Sequence, residues 1–87
     1  MNISDAEIEL MRRESGLRMN AKNPNSTAFG VWQCIWSTCV AAAKATGTEP
    51  HTMNQEHQIL QMRWYIENSK HKTAEAALNH QIAHKSY

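Results

Sequence analysis

The stretch Ser4-Asp5-Ala6-Glu7-Ile8-Glu9-Leu10-Met11-Arg12-Arg13-Glu14-Ser15-Gly16 reads as one amphipathic helix with its start and stop written in. Ser4 is a cap residue, and Glu7 follows in capping-box register, so the pair satisfies N–H groups that a helix start leaves open. Ile8 and Met11 share a face and Leu10 lies beside it, which predicts the buried stripe. Gly16 offers a natural stop. Glu14 therefore falls in or just beyond the last turn, where the carboxyl end of the helix dipole opposes negative charge and favours the neutral acid. A carboxylic acid in a partly dry cleft has its pKa raised and can protonate a leaving oxygen near neutral pH. The local pattern by itself favours a solvated glutamate at a helix end.

Outward from that helix, residues 16–33 are the least regular part of the chain. Asn20, Asn23-Pro24-Asn25-Ser26 and Gly30 combine backbone-capping side chains with turn formers, and Pro24 biases Asn23 away from the helical region. Phe29, Val31 and Trp32 in the same segment predict a loop that folds back as one wall of a cleft. A second helix is expected over Ser37–Thr46, alanine-rich and stopped by Gly47. Thr52 and Gln55 suggest a capping box for a third, running to about Asn68. On it Ile59, Met62 and Ile66 recur at helical spacing, with Leu60 and Trp64 widening the stripe; core packing is the expected role. Thr73 starts a fourth helix through Ala76, Ala77 and Leu78 toward Ala83. No strand pattern or repeat competes, so the expected fold is all-α.

Eighty-seven residues support one domain, 1–87, near the lower limit for a self-sufficient core. Three Trp, five Met, two Tyr and one Phe supply bulky side chains to that core. The formal charge of +1 excludes strong bulk attraction to nucleic acid. Its distribution is uneven: acids dominate Asp5–Glu14, whereas Arg63, Lys70, Lys72 and Lys85 make the far end mildly basic, a surface compatible with an anionic polymer such as a cell wall and equally with an ordinary solvated face. No apolar stretch approaches a membrane span, and no basic-then-apolar leader opens the chain, so no membrane insertion is expected. A role outside the cell then requires another export route, removal of a signal, or release by lysis.

Ordered motifs add a resemblance. Met11-Arg12-Arg13-Glu14-Ser15-Gly16, then Ala21-x-Asn23-Pro24-x-Ser26-x-Ala28-Phe29-Gly30-Val31-Trp32-Gln33, resembles the lytic transglycosylase and goose-type lysozyme superfamily, in particular its compact phage tail and lysis domains. Thr38 matches a threonine that often follows the glutamine there. Arg63-Trp64-Tyr65-Ile66 resembles a later helix of the family, and Thr73-x-x-x-Ala77-Leu78 with His80 and His84-Lys85-Ser86-Tyr87 resembles its terminal segment. The resemblance spans roughly residues 8–87 and implies a small lysozyme-like helical domain.

By that resemblance Glu14 is the catalytic acid/base, acting on the bond between N-acetylmuramic acid and N-acetylglucosamine. Ser15 is implied as a supporting hydroxyl in substrate binding, Gln33 as a hydrogen-bonding group for sugar or acid, and Tyr65 as a cleft-lining residue. Phe29 and Trp32 are implied as aromatic surface for a saccharide, with internal support an equal reading for Trp32. Between Glu14 and Glu49 the sequence has no acidic residue, whereas a two-carboxylate glycosidase sets a second acid across the scissile bond. Glu49 and Glu56 are conceivable partners, each with a simple surface or helix-start role. A single-acid scheme fits better: a lytic transglycosylase forming 1,6-anhydro-muramoyl ends, with a muramidase and a non-catalytic wall-binding domain as alternatives. The implied partners are peptidoglycan glycan strands and a larger phage or cell-wall assembly. The implied location is the phage virion, or the host periplasm or cell wall. No cofactor or metal is expected. Cys34, Cys39, His80 and His84 raise a zinc reading, because thiolates and imidazoles bind tetrahedral Zn²⁺, but the pairs lie too far apart for a compact finger. The two cysteines read instead as ordinary buried thiols, with a disulfide across the helix start as the alternative.

Overall fold

The structure, a computed structural model, describes residues 2–85. The last two residues of the terminal patch, Ser86 and Tyr87, lie outside the described residues. Four helices follow in order: α1 Asp5–Ser15, α2 Trp36–Thr46, α3 Gln55–Asn68 and α4 Ala74–His84. The described residues thus form an all-α fold, in which α1 packs on α4, α2 on α3, and α3 on α4. The radius of gyration, 11.6 Å, is that of a well-packed chain of this length.

α1 carries the capping box read from the sequence: Ser4 Oγ accepts from Glu7 N–H at 3.2 Å, and Glu7 Oε1 accepts from Ser4 N–H at 2.9 Å. Gly16 closes the helix in the left-handed region, with φ 65°. The buried stripe differs from the expected one. Leu10 is fully buried and Met11 nearly so, while Ile8 is 41% exposed, and Glu7 takes the remaining inward position. A charge is tolerated there because α3 brings Arg63 to it in a two-pronged ion pair, Nε to Oε2 at 2.6 Å and Nη2 to Oε1 at 3.0 Å. Bidentate guanidinium–carboxylate geometry compensates the lost hydration of both groups.

Two helix starts also differ. α2 begins at Trp36, and its cap position is Ile35, which has no side chain able to cap. α3 is capped by Asn54, whose side-chain oxygen accepts from His57 N–H at 3.1 Å; Thr52 instead accepts from Asn54 N–H. The amide of Asn54, one residue before the first helical turn, is the better placed acceptor. Ile59, Met62 and Ile66 are buried as expected, but Leu60 is not part of that stripe and is 38% exposed.

The segment between α1 and α2 is a chain of turns joined by two isolated antiparallel bridges, Lys22 with Phe29 and Phe29 with Cys34. Asn23 forms an Asx turn with Asn25 N–H at 2.9 Å. Its inner half, Ala28 to Trp32, is buried. A buried glutamine, Gln58 of α3, holds this loop: its Oε1 accepts from Val31 N–H at 2.7 Å, and its Nε2 donates to the carbonyls of Met19 and Thr52. Gly30 is required at that crossing. Its φ is +85°, and a Cβ there would lie 2.7 Å from Gln58 Oε1. The cysteines correct the buried-thiol expectation: Cys34 and Cys39 form a disulfide, with their Cα atoms 5.5 Å apart. The bond staples the end of the loop to the first turn of α2.

Candidate functional site

Glu14 stands where three helices and the loop between α1 and α2 meet. α1 delivers it in its last turn, the folded-back loop brings Trp32, Gln33 and Cys34, and α2 and α3 contribute Thr38 and Tyr65. Together with Ile35 these residues line a hollow of about 270 Å³. Glu14 is half-buried, and burial pushes its carboxyl above the ordinary range. The nearby cations are engaged elsewhere. Arg12 and Arg13 turn back to Glu9, and Arg18 donates to the carbonyl of Ser15 at 2.9 Å. With no compensating charge, loss of water solvation is the dominant influence on Glu14 and favours its protonated form.

The floor is rigid. Trp32 is almost wholly buried and lies against Tyr65, with ring centroids 5.4 Å apart and planes tilted by 44°. Gln33 sits in the left-handed region, φ 54°. Its Nε2 donates to the carbonyls of Ala21 at 3.0 Å and Gly30 at 2.9 Å, leaving its Oε1 as the acceptor of that amide. The amino end of α2 borders the hollow through Ile35 and Thr38; Ile35 itself provides no side-chain cap, and the first N–H of the helix, that of Trp36, donates instead to Thr27 Oγ1 at 2.9 Å.

Of the residues read from the sequence, Glu14, Trp32, Gln33 and Tyr65 come together in this hollow, Trp32 almost wholly buried in its floor. Ser15 does not line it. Its hydroxyl is buried between the carbonyls of Val31 at 2.7 Å and Met11 at 3.0 Å, and ties the end of α1 to the loop. Phe29 also stands apart. It is stacked on His51 with ring centroids 4.2 Å apart, and lines a second hollow with Lys22, Thr27 and Trp36. Neither Glu49 nor Glu56 reaches the Glu14 hollow; both are exposed. Glu14 is the one carboxylate among the described residues that line it.

Three contributors fall outside the residues singled out for the site. Thr38 had a signal, its position shortly after Gln33. Ile35 and Cys34 had none, because their place in the lining follows from the loop closing on α2. The zinc reading loses its thiolates to the disulfide. His71, His80 and His84 do cluster, with neighbouring ring centroids 4.7 and 4.3 Å apart, yet no group of three or more potential ligands among the described residues is arranged to hold a metal ion. No described helix is long and apolar enough to cross a membrane. The chain matches no protein-family model, no curated protein and no solved structure.

Proposed function

We propose that this protein cleaves the glycan strand of peptidoglycan as a lytic transglycosylase, in a small lysozyme-like domain, with Glu14 as its single acid and base. The observation that carries the reading is a half-buried carboxyl, raised in pKa by desolvation, in a hollow with no second carboxylate among the described residues that line it.

In this scheme the protonated Glu14 gives its proton to the oxygen linking N-acetylmuramic acid to N-acetylglucosamine. The bond from that oxygen to the muramoyl anomeric carbon breaks, and the glucosamine side leaves as an alcohol. The muramoyl N-acetyl oxygen stabilises the positive charge that develops at the anomeric carbon. Glu14, now a carboxylate, removes the proton of the muramoyl C6 hydroxyl, whose oxygen closes on the anomeric carbon to give the 1,6-anhydro end. The proton lent in the first half returns in the second, so no further acid or base is needed. An environment that raises the carboxyl pKa by desolvation favours the acid form needed in the first half. The scheme also suits the surroundings: Gln33 Oε1 is an acceptor for sugar hydroxyl or amide groups, and Tyr65 and Thr38 are walls of mixed polarity.

The test is incubation of the protein with purified peptidoglycan and mass spectrometry of the released ends. Anhydro-muramoyl ends support the transglycosylase. Reducing muramoyl ends show that water wins the second step, which is a muramidase. Binding without products shows a wall-binding domain. Glu14→Gln should abolish either cleavage; undiminished turnover by that variant would sink the assignment.

A further inference from the structure

The Glu14 hollow does not end at Tyr65. Thr38 and Tyr65 also line a neighbouring hollow of about 280 Å³, whose other walls are Ser37, Ala41, Trp64, Asn68 and Ser69. The same two side chains, Thr38 of α2 and Tyr65 of α3, border both spaces, so the two hollows adjoin there. The chemistry of the far half is specific. None of the described residues that line it is charged. Trp64 is half-buried, an aromatic wall next to Tyr65. Asn68 donates its Nδ2 to the Trp64 carbonyl at 2.8 Å, which leaves Oδ1 as an acceptor, and Ser37 and Thr38 bring hydroxyls. An aromatic face with a few neutral donors and acceptors matches a pyranose ring, which is apolar on one face and edged with hydroxyls. A carboxylate or phosphate would find no cation there.

We infer that, on the reading of Glu14 as the glycan-cleaving acid, the strand continues over Thr38 and Tyr65 and places an uncharged N-acetylglucosamine ring against Trp64. The muramoyl residues, which carry the carboxylate and the peptide, are directed elsewhere. This far half therefore selects strand length and the register of cleavage.

The test uses the full chain carrying Glu14→Gln, so that bound sugar is not consumed, and titrates it with N,N′-diacetylchitobiose and with the corresponding chitotetraose. Affinity is read by calorimetry, and position by the indole N–H signals in NMR. The tetramer should bind about tenfold more tightly than the dimer, the size expected of one well-stacked ring, and should shift the Trp64 indole. In the same background, Trp64→Ala should remove that gain and leave dimer affinity unchanged. Asn68→Ala, an exposed position with little bearing on folding, should reduce tetramer affinity about fivefold. A tenfold gain that survives both substitutions, or tetramer shifts at Trp32 with none at Trp64, overturns this inference and leaves the Glu14 reading standing. No shift at either indole with any oligomer overturns both.

Discussion

Two glutamates on the same helix, two turns apart, have opposite fates. Glu7 faces Arg63 and is also bonded to Ser4, and the Arg63 hydrogen bond, the largest influence, holds its carboxyl below the ordinary value of 4.5. Glu14 has no such partner, and burial moves it above that value. Glu7 also sits at the amino end of α1, where the helix dipole favours a negative charge, and Glu14 at the carboxyl end, where it does not. Residue type and helix are common to both. What α3 and the loop bring opposite each carboxyl makes one a structural anion and the other a candidate proton donor.

The contrast breaks first on turnover. Glu14→Gln should lower the rate of peptidoglycan cleavage by about 10²–10⁴-fold, the usual worth of a positioned acid or base, whereas Glu7→Gln should leave per-molecule turnover of the folded protein within about twofold, because Glu7 does not line the Glu14 hollow; rates normalised to folded protein check both. Stability should reverse the ranking. Arg63→Met strands the buried Glu7 charge and should cost about 2 kcal/mol, or roughly 10 °C in Tm for a domain of this size, a figure reduced from that of a fully buried pair because Arg63 is partly exposed. Since the folded-state pKa of Glu7 is depressed, the pair's contribution is present above pH 4.5 and is lost as pH falls through the folded value. Thermal melts of wild type and Arg63→Met should therefore converge in acid.

A smaller effect is expected where α1 meets the loop. Ser15→Ala removes the one proton shared between the Val31 and Met11 carbonyls, and should cost about 1 kcal/mol in chemical denaturation. The smallest effect has the opposite sign. The folded-state pKa of Glu14 is raised, so the penalty for its charge is absent below the unfolded pKa and grows as pH rises through the folded one. Glu14→Gln should accordingly melt slightly higher than wild type at neutral pH and equally at strongly acid pH. A lower Tm at neutral pH would show that the carboxyl is favourably solvated after all.

Much of the architecture was legible because local rules and tertiary packing agree. Ser4 with Glu7, Gly16, Gly47 and Thr73 mark helix ends, and Ile59, Met62 and Ile66 mark the buried face of α3. The misreadings occur where a long-range partner decides. Ile8 is the more hydrophobic residue, yet Glu7 is the one turned inward, because Arg63 lies more than fifty positions away in the chain and directly opposite in space. Gln58 and Gln61 lie outside the apolar stripe named from the sequence and are nevertheless buried, since each satisfies its amide on backbone or side-chain groups of distant loops. Cys34 and Cys39 allowed thiols or a disulfide, and only the closing of the loop on α2 brought their Cα atoms to bonding range.

The sequence by itself determined the number of helices, where α1 and α4 begin and where the first three stop, that Glu14 closes the first of them, and that no other acid follows it before Glu49. Those are properties of neighbours within a few residues, where capping, periodicity and turn chemistry act. The tertiary structure decided which carboxyl is paired and which is stranded, that Ser15 supports the loop from inside, that Phe29 belongs to another hollow, and that Gln33, Thr38 and Tyr65 surround Glu14. Desolvation and pairing depend on what packs opposite a side chain, and the groups opposite Glu14 come from three separate segments of the chain.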